Sequence, residues 1–86
     1  MMEKMTVLVV TPEGVFFDGE AFLAEFCGSE GKMGIYPRHS PLLAEVAEGE
    51  LIIHGDGPEK RALAGPGFAR ILPDSLTILA GRVEWS

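Results

Sequence analysis

Glycine and proline interrupt this sequence so often that long helices are not expected. Past Thr11, the longest stretch without either residue is Glu20–Cys27. Proline removes a backbone donor and glycine weakens a helix by about 1 kcal/mol relative to alanine, so a helix usually needs a longer window free of both. Short apolar runs bounded by such residues are typical of β-strands. The frequent glycines and prolines therefore predict an all-β fold.

The apolar runs between these turn signals predict about nine or ten short strands. They are Thr6–Val10, Val15–Phe17, Glu20–Cys27, Lys32–Ile35, Leu42–Val46, Leu51–His54, Lys60–Ala64, Phe68–Leu72, Leu76–Leu79 and, as a short edge strand, Arg82–Ser86. Asp18-Gly19 is typical of a β-hairpin turn. Glu20–Cys27 also has reasonable helix propensity, but its length and its flanking turns favour a strand.

A chain of 86 residues has the size of one domain, so residues 1–86 are expected to form a single unit. Nine or ten strands in so short a chain must fold against each other. They predict a two-sheet β-sandwich, or flattened barrel, with one core between the sheets. The predicted core residues are Leu8, Val10, Phe16, Phe22, Phe26, Ile35, Leu42, Leu51, Ile53, Leu63, Phe68, Ile71, Leu76 and Ile78.

The charge and the apolar pattern exclude two classes of partner. The formal net charge is −6, whereas a nucleic-acid-binding protein needs a basic face to neutralise phosphates, so we expect no nucleic-acid partner. No apolar run approaches the roughly 20 residues of a membrane-spanning helix. The apolar run near the start, Val7–Val10, is also too short for a signal peptide. We therefore expect a chain that is neither exported nor inserted directly into a membrane.

The residues that most often carry chemistry are scattered. His39 and His54 lie far apart, with no HxH or CxxC motif, so a metal site is not expected. Cys27, the one cysteine, cannot form an internal disulfide and lies on an apolar strand, which favours packing over catalysis. Lys32 is followed by Met33 and not by Ser or Thr, so GSEGKMG lacks the pattern of a phosphate-binding loop. These features predict a domain without catalysis or cofactor that works by binding or assembly.

Two other functions are open from the residues alone. A stand-alone ligand-binding β-sandwich, for instance for sugars, would present aromatic side chains on an exposed face, and Trp85 and Tyr36 are the only Trp and Tyr. A small cupin-like enzyme would need the cluster of metal ligands that the sequence lacks.

The run GSEGKMGIYPRHSPLL, Gly28–Leu43, resembles a motif of the epsilon subunit of F-type ATP synthases, which is named delta in mitochondria. The family motif is approximately G-x-E-G-x-[ML]-G-[IV]-x-P-x-H-x-P-L-[LV]. This sequence follows it at Gly28, Glu30, Gly31, Met33, Gly34, Ile35, Pro37, His39, Pro41, Leu42 and Leu43. Val9–Glu20 and the segment from Gly67 through LTILA (Leu76–Ala80) are also similar to the family, so the resemblance covers nearly the whole chain in order.

The resemblance implies a two-sheet β-sandwich with a non-catalytic role in the rotating central stalk. Members of the family lie at the foot of the gamma subunit and against the polar loops of the c-ring, and they help to transmit rotation between ion flow and the catalytic head. By resemblance, the expected partners are the gamma subunit and the c-ring loops. The expected location is peripheral, on the cytoplasmic face of an energy-transducing membrane such as a bacterial plasma membrane.

The motif also suggests which residues contact these partners. They are Ser29, Glu30, Lys32, Arg38, His39, Ser40 and Leu43. Many relatives have glutamate at the position of Lys32 and glycine at that of Arg38, so this chain has two additional positive charges there. We hypothesise that the c-ring loop carries matching acidic residues. His39 either caps the loop through hydrogen bonds or touches a partner, and the glycines and prolines of the motif shape its backbone.

Two departures from the family pattern affect these expectations. Typical members continue into a C-terminal helical hairpin, which inhibits ATP hydrolysis and in some members helps to bind ATP. This sequence stops at Trp85-Ser86. If that is the full protein, neither activity is expected of it, and if it is part of a longer protein, both stay open. Gly65-Pro66-Gly67 has one residue more than the paired glycines often found there, which predicts a bulge or a longer turn.

Overall fold

The structure, a computed structural model, describes residues 3–86 and consists of ten β-strands joined by short links. The strands are β1 (Met5–Thr11), β2 (Gly14–Ala21), β3 (Leu23–Gly28), β4 (Gly31–Ile35), β5 (Leu42–Val46), β6 (Gly49–His54), β7 (Lys60–Ala64), β8 (Gly67–Leu72), β9 (Ser75–Ala80) and β10 (Val83–Trp85). Within these residues no helix is long and apolar enough to cross a membrane. The all-β prediction is confirmed, and the expected edge strand within Arg82–Ser86 is β10.

The strands form two five-stranded sheets that pack face to face. The first sheet has the order β2-β1-β9-β8-β5, and the second has the order β10-β7-β6-β3-β4. β1 pairs with β9 in parallel, and the other pairs are antiparallel. One apolar core lies between the sheets. This is the predicted two-sheet β-sandwich.

The core contains part of the predicted set together with smaller residues. The confirmed core residues are Phe26, Ile35, Leu51, Ile53, Ile71, Leu76 and Ile78. Val7 and Val9 join them, and Ala24, Ala62 and Ala69 are also buried. The core therefore mixes large and small side chains, a combination that allows packed sheets to interdigitate.

Of the other proposed core residues, Phe16 packs against the core without being fully buried, and the prediction was wrong for the rest. Leu8, Val10, Phe16 and Phe22 are only half-buried, whereas Leu42, Leu63 and Phe68 are exposed. In β1, the unbroken apolar run Val7–Val10 hides which alternate residues face inward, and the structure turns Val7 and Val9 to the core. In β7 the inward positions are alanines, and in β8 they include Ala69 and Ile71, so the alternating Leu63 and Phe68 point outward.

β2 runs without interruption through Asp18-Gly19, so the predicted hairpin turn there is wrong. Both residues pair with β1. A Cβ atom on Gly19 would lie 2.8 Å from Cζ of Phe17, so this glycine makes room for the aromatic ring and does not form a turn. The predicted strand Glu20–Cys27 is divided at Phe22 by the bend between β2 and β3.

A β-bulge in β2 brings three aromatic rings together at one edge of the sandwich. The register between β1 and β2 shifts at Phe16, which has no partner in β1. The bulge reorients the strand locally, and the Trp85 ring centroid lies 4.5 Å from that of Phe16 and 6.1 Å from that of Phe17. Because β2 and β10 are edge strands of different sheets, this aromatic cluster joins the two sheets at that edge.

Gly65-Pro66-Gly67 links the second sheet to the first, between β7 and β8. Backbone hydrogen bonds to Arg82 and from Gly81 hold this link in place. A Cβ atom on Gly67 would lie only 1.8 Å from the carbonyl oxygen of Leu79, so the close backbone approach requires glycine. The ladders of β8 show no register shift. Of the two expected forms, the segment is therefore a longer turn and not a bulge.

Candidate docking surface

The two sheets meet at a second edge, formed by β4 and β5, where both are edge strands. Lys32 of β4 and Leu43 of β5, together with Ser29 and Glu30 of the β3–β4 turn, line a groove of about 610 Å³. Edge strands also present unpaired backbone groups, which makes such an edge accessible to another chain. The structure thus brings four of the predicted contact residues together.

The other three predicted residues, Arg38, His39 and Ser40, lie on the loop at the opposite end of β4. Arg38 has a φ of 72°, which is rare for a residue other than glycine. Its backbone N–H donates to the Pro73 carbonyl at 2.6 Å, and its Nε donates to Oε2 of Glu3 at 2.9 Å. His39 Nδ1 lies 2.7 Å from the Ser40 carbonyl oxygen, as in the loop-capping alternative. Contact of these residues with a partner stays a prediction.

Both additional positive charges have a carboxylate partner within the chain. Lys32 Nζ lies 3.2 Å from Oε1 of Glu25, and Arg38 pairs with Glu3. The hydrogen bond from Lys32 lowers the pKa of the Glu25 carboxyl, desolvation opposes this, and a hydrogen bond with His54 adds to the lowering. An acidic c-ring loop would have to compete with these two carboxylates. The hypothesis that the c-ring loop carries matching acidic residues therefore stays a prediction, and Glu25 and Glu3 are the groups that such residues would have to displace.

The outer face of the second sheet carries a ladder of charged side chains. His54 Nε2 lies 3.1 Å from Oε2 of Glu25, and His54 Nδ1 lies 3.7 Å from Oε1 of Glu59. Arg61 pairs with Glu50 at 3.0 Å and with Glu59 at 2.5 Å, and these hydrogen bonds raise the pKa of the Arg61 guanidinium. Much of the charge on this face is therefore satisfied within the domain.

The outer face of the first sheet, by contrast, is rich in exposed apolar side chains. Cross-strand pairing sets Phe68 of β8 beside Leu79 of β9, Leu79 beside Val10 of β1, and Val10 beside Val15 of β2. Phe68 is 52% exposed and Leu79 is 54% exposed, and Leu43 of β5 lies on the same side of the sheet. We call Val10, Val15, Leu43, Phe68 and Leu79 the apolar face. A continuous exposed apolar surface of this kind marks an interaction site.

Sequence reasoning missed the apolar face. It assigned Val10 and Phe68 to the core, because cores and interfaces use the same residue types. One signal could have revealed it. Phe68 and Ile71 are an odd number of positions apart in a single strand, so they cannot both face the core.

The described residues also bear on the other functions considered from the sequence. Residues 3–86 contain no group of three or more His, Cys or acidic side chains that could hold a metal ion. Trp85 lies in β10 and Tyr36 follows β4, and these strands form opposite edges of the second sheet. The two residues therefore do not form one aromatic platform for a sugar. Cys27 is half-buried against Gly49, as expected of a packing residue.

The sequence matches known ATP synthase subunits. The family model "ATP synthase, Delta/Epsilon chain, beta-sandwich domain" matches residues 4–86. The ATP synthase epsilon chain of Ruminiclostridium cellulolyticum is 39% identical over 90% of this chain and 58% of its own length. That of Brevibacillus brevis is 41% identical over 96% of this chain and 64% of its own length. This chain thus spans about three fifths of the length of these relatives.

Solved structures share the fold. A chain of the Euglena gracilis mitochondrial ATP synthase superimposes with a TM-score of 0.89 at 15% identity, covering 99% of this chain and 56% of that chain. A chain of the Tetrahymena thermophila mitochondrial ATP synthase central stalk and c-ring gives a TM-score of 0.78 at 20% identity, covering 96% and 67%. The family match includes all ten strands of the two sheets. The resemblance seen in the sequence is confirmed, and the chain belongs to the ATP synthase delta/epsilon chain β-sandwich domain family.

Proposed function

We propose that this chain acts as a non-catalytic subunit in the rotating central stalk of an F-type ATP synthase, where it helps to couple ion translocation to ATP synthesis. Family membership over residues 4–86 supports this role. The observation that carries the proposal is the apolar face, which leaves Phe68 and Leu79 more than half exposed on a small domain. Such a surface is suited to stable assembly with another subunit.

In this proposal the gamma subunit covers the apolar face. Interfaces that stay assembled bury apolar surface at their centre and leave a polar rim. Phe68 and Leu79 are direct cross-strand neighbours, and Glu45 and Asp18 lie on the edge strands β5 and β2. The apolar centre and the charged margins match that arrangement.

The edge formed by β4 and β5 is proposed to meet the polar loops of the c-ring. At one end of β4, the groove residues Ser29, Glu30 and Lys32 would contact a c-ring loop. At the other end, Arg38, His39 and Ser40 would do so, while Leu43 at the border of the groove belongs to the surface that gamma covers. Charged side chains on turns offer hydrogen bonds and charge pairing to polar loops, and so favour specific docking. The subunit would then lie peripherally on the cytoplasmic face of an energy-transducing membrane, without entering the bilayer.

Leu79→Lys tests this assignment. Because Leu79 is 54% exposed, a lysine can be accommodated in the isolated domain, but it would put a charge into the centre of the proposed interface. We expect the native chain to bind the gamma subunit and the variant to lose affinity by at least about 10-fold, measured by calorimetry. The matched control is Leu63→Lys, on the outer face of the second sheet with 50% exposure, which should bind like the native chain.

Urea unfolding would establish that both variants are folded before binding is compared. If the native chain forms no complex with gamma, the proposed function is wrong. If the two lysine variants lose binding equally, the assignment of gamma to the apolar face is wrong.

A further inference from the structure

One cationic side chain, Arg70 of β8, lies among the residues of the apolar face. The strand registers set it between Leu43 of β5 and Thr77 of β9. Phe68 and Leu72, two positions away on either side along β8, point to the same side of the sheet. Arg70 is exposed. A full positive charge is therefore placed inside the surface that the gamma subunit is proposed to cover.

Arg70 differs from most other cations of this chain in having no acidic partner. Five of the seven lysine and arginine side chains have a carboxylate oxygen at 3.5 Å or less: Lys4, Lys32, Arg38, Arg61 and Arg82. Within residues 3–86, only Lys60 and Arg70 lack such a pair.

The carboxylates of this outer face lie towards its margins. Glu45 is on β5, and Asp18 and Glu20 are on β2, the two edge strands of the first sheet. Among them, Glu45 lies nearest to Arg70 in the strand register. Arg70 pairs with Leu43, and Glu45, two positions further along β5, pairs with Phe68. Even so, Glu45 and Arg70 form no ion pair. Within the described part of the chain, the domain therefore does not supply a partner for this guanidinium.

Covering the apolar face would remove water from Arg70. Burial of a charge is costly unless the charge is paired and hydrogen-bonded, so a partner that covers this face must itself supply acceptors. A carboxylate can accept two parallel hydrogen bonds from the planar guanidinium and also neutralises its charge. Arginine is also one of the residues enriched at the energetically dominant positions of interfaces.

We propose that Arg70 is the specificity anchor of the apolar face and pairs with an acidic side chain set in an apolar surface of the gamma subunit. This inference rests on the proposed function, because gamma is the occupant of the face. The partner surface that fits has one carboxylate opposite Arg70, with apolar side chains around it to cover Phe68, Leu79 and Leu43. The geometry thus implies that the partner surface carries a carboxylate at a defined position within its apolar residues.

Charge reversal at Arg70 tests the pairing. Arg70→Glu should lower the affinity for the gamma subunit by roughly 100-fold, because it faces the partner's carboxylate with a like charge. Arg70→Lys keeps the charge but loses the two-pronged geometry, so its loss should be smaller, about 10-fold. The matched control is Lys60→Glu, which reverses the charge of the other unpaired cation. Because Lys60 lies on the second sheet, away from the apolar face, this change should alter the affinity by less than about twofold.

A reciprocal screen then identifies the partner group. Each Asp and Glu of the gamma subunit is changed to Lys in turn, and we expect one reversal to restore binding of the Arg70→Glu chain. If native chain and Arg70→Glu bind gamma equally, or if no reversal restores binding, the pairing is wrong while the proposed function stands. If the native chain does not bind gamma at all, the proposed function itself is wrong. Urea unfolding of Arg70→Lys and Arg70→Glu excludes misfolding as the cause of a loss.

Discussion

Arg38 adopts a left-handed backbone conformation in the loop between β4 and β5, with a φ of 72°. For an L-amino acid other than glycine this conformation costs roughly 1–2 kcal/mol, because Cβ crowds the carbonyl oxygen. The backbone hydrogen bond from Arg38 to Pro73 joins this loop to the β8–β9 turn, and so restrains the residue where it is. A glycine at this position would adopt the same conformation without strain.

Arg38→Gly should therefore be compared with Arg38→Ala. Both substitutions remove the exposed pair with Glu3, but only glycine relieves the backbone strain. We expect the glycine variant to be more stable than the alanine variant by about 1 kcal/mol in the free energy of unfolding, measured with urea. Equal stability of the two variants would show that the left-handed conformation is not costly at this site.

At the scale of elements, β4 is attached to the fold through β3, its only partner in the second sheet. The ion pair between Lys32 of β4 and Glu25 of β3 is a side-chain link across this pair of strands. The pKa of Glu25 is lowered from 4.5 by the hydrogen bond from Lys32. The pair therefore contributes stability above pH 4.5, and this contribution is lost as the pH falls through the lowered pKa.

Lys32→Met removes this link and keeps a similar aliphatic length. We expect the urea midpoint of the native chain to exceed that of the variant at pH 7. The difference should shrink as the pH falls below 4.5 and through the lowered pKa of Glu25, where its carboxylate becomes protonated and the ion pair is lost. Lys60→Met is the control, since Lys60 has no carboxylate partner in the described chain. A difference for Lys32→Met that is unchanged by acid would mean that the ion pair contributes nothing and that packing causes the effect.

The elements also show which parts of the fold were predictable. Glycine and proline marked the ends of most strands, because these residues act locally on the backbone. The inward face of β1 was not predictable, since Val7–Val10 is apolar at every position. The turn predicted at Asp18-Gly19 failed because Gly19 accommodates the Phe17 ring, which is a contact that no local signal reveals. The apolar face was hidden for a similar reason: core and docking residues are chemically alike.

For the whole molecule, the aromatic cluster of Phe16, Phe17 and Trp85 closes one edge of the sandwich, whereas the β4–β5 edge keeps a groove. The family motif suggested seven docking residues, and the structure places four of them at the β4–β5 edge and three on the loop after β4. Their docking role stays a prediction. Their division into two groups depends on the tertiary structure, because it follows from the length of β4 between the turn and the loop.

Trp85→Ala should loosen the closed edge. Aromatic pairs contribute about 0.5–1.5 kcal/mol beyond the area they bury, so we expect a total loss of about 2 kcal/mol in the free energy of unfolding, followed by circular dichroism. Tyr36→Ala, at the opposite edge of the second sheet and 56% exposed, is the control and should cost less than about 1 kcal/mol. A cost for Trp85→Ala no larger than that of the control would show that the cluster does not hold the sheets together.

The parallel pairing of β1 with β9 has a consequence for folding during synthesis on the ribosome. β1 is synthesised well before its partner on one side, Ser75–Ala80, because β9 lies more than 60 residues further along the chain. Until β9 emerges, the nascent chain can form hairpins but cannot join β1 and β2 to β8 and β5. The first sheet, and with it the apolar face, is therefore completed only after β9 has been synthesised. The growing chain therefore cannot offer the complete surface to a partner before Leu79 joins Phe68 and Val10.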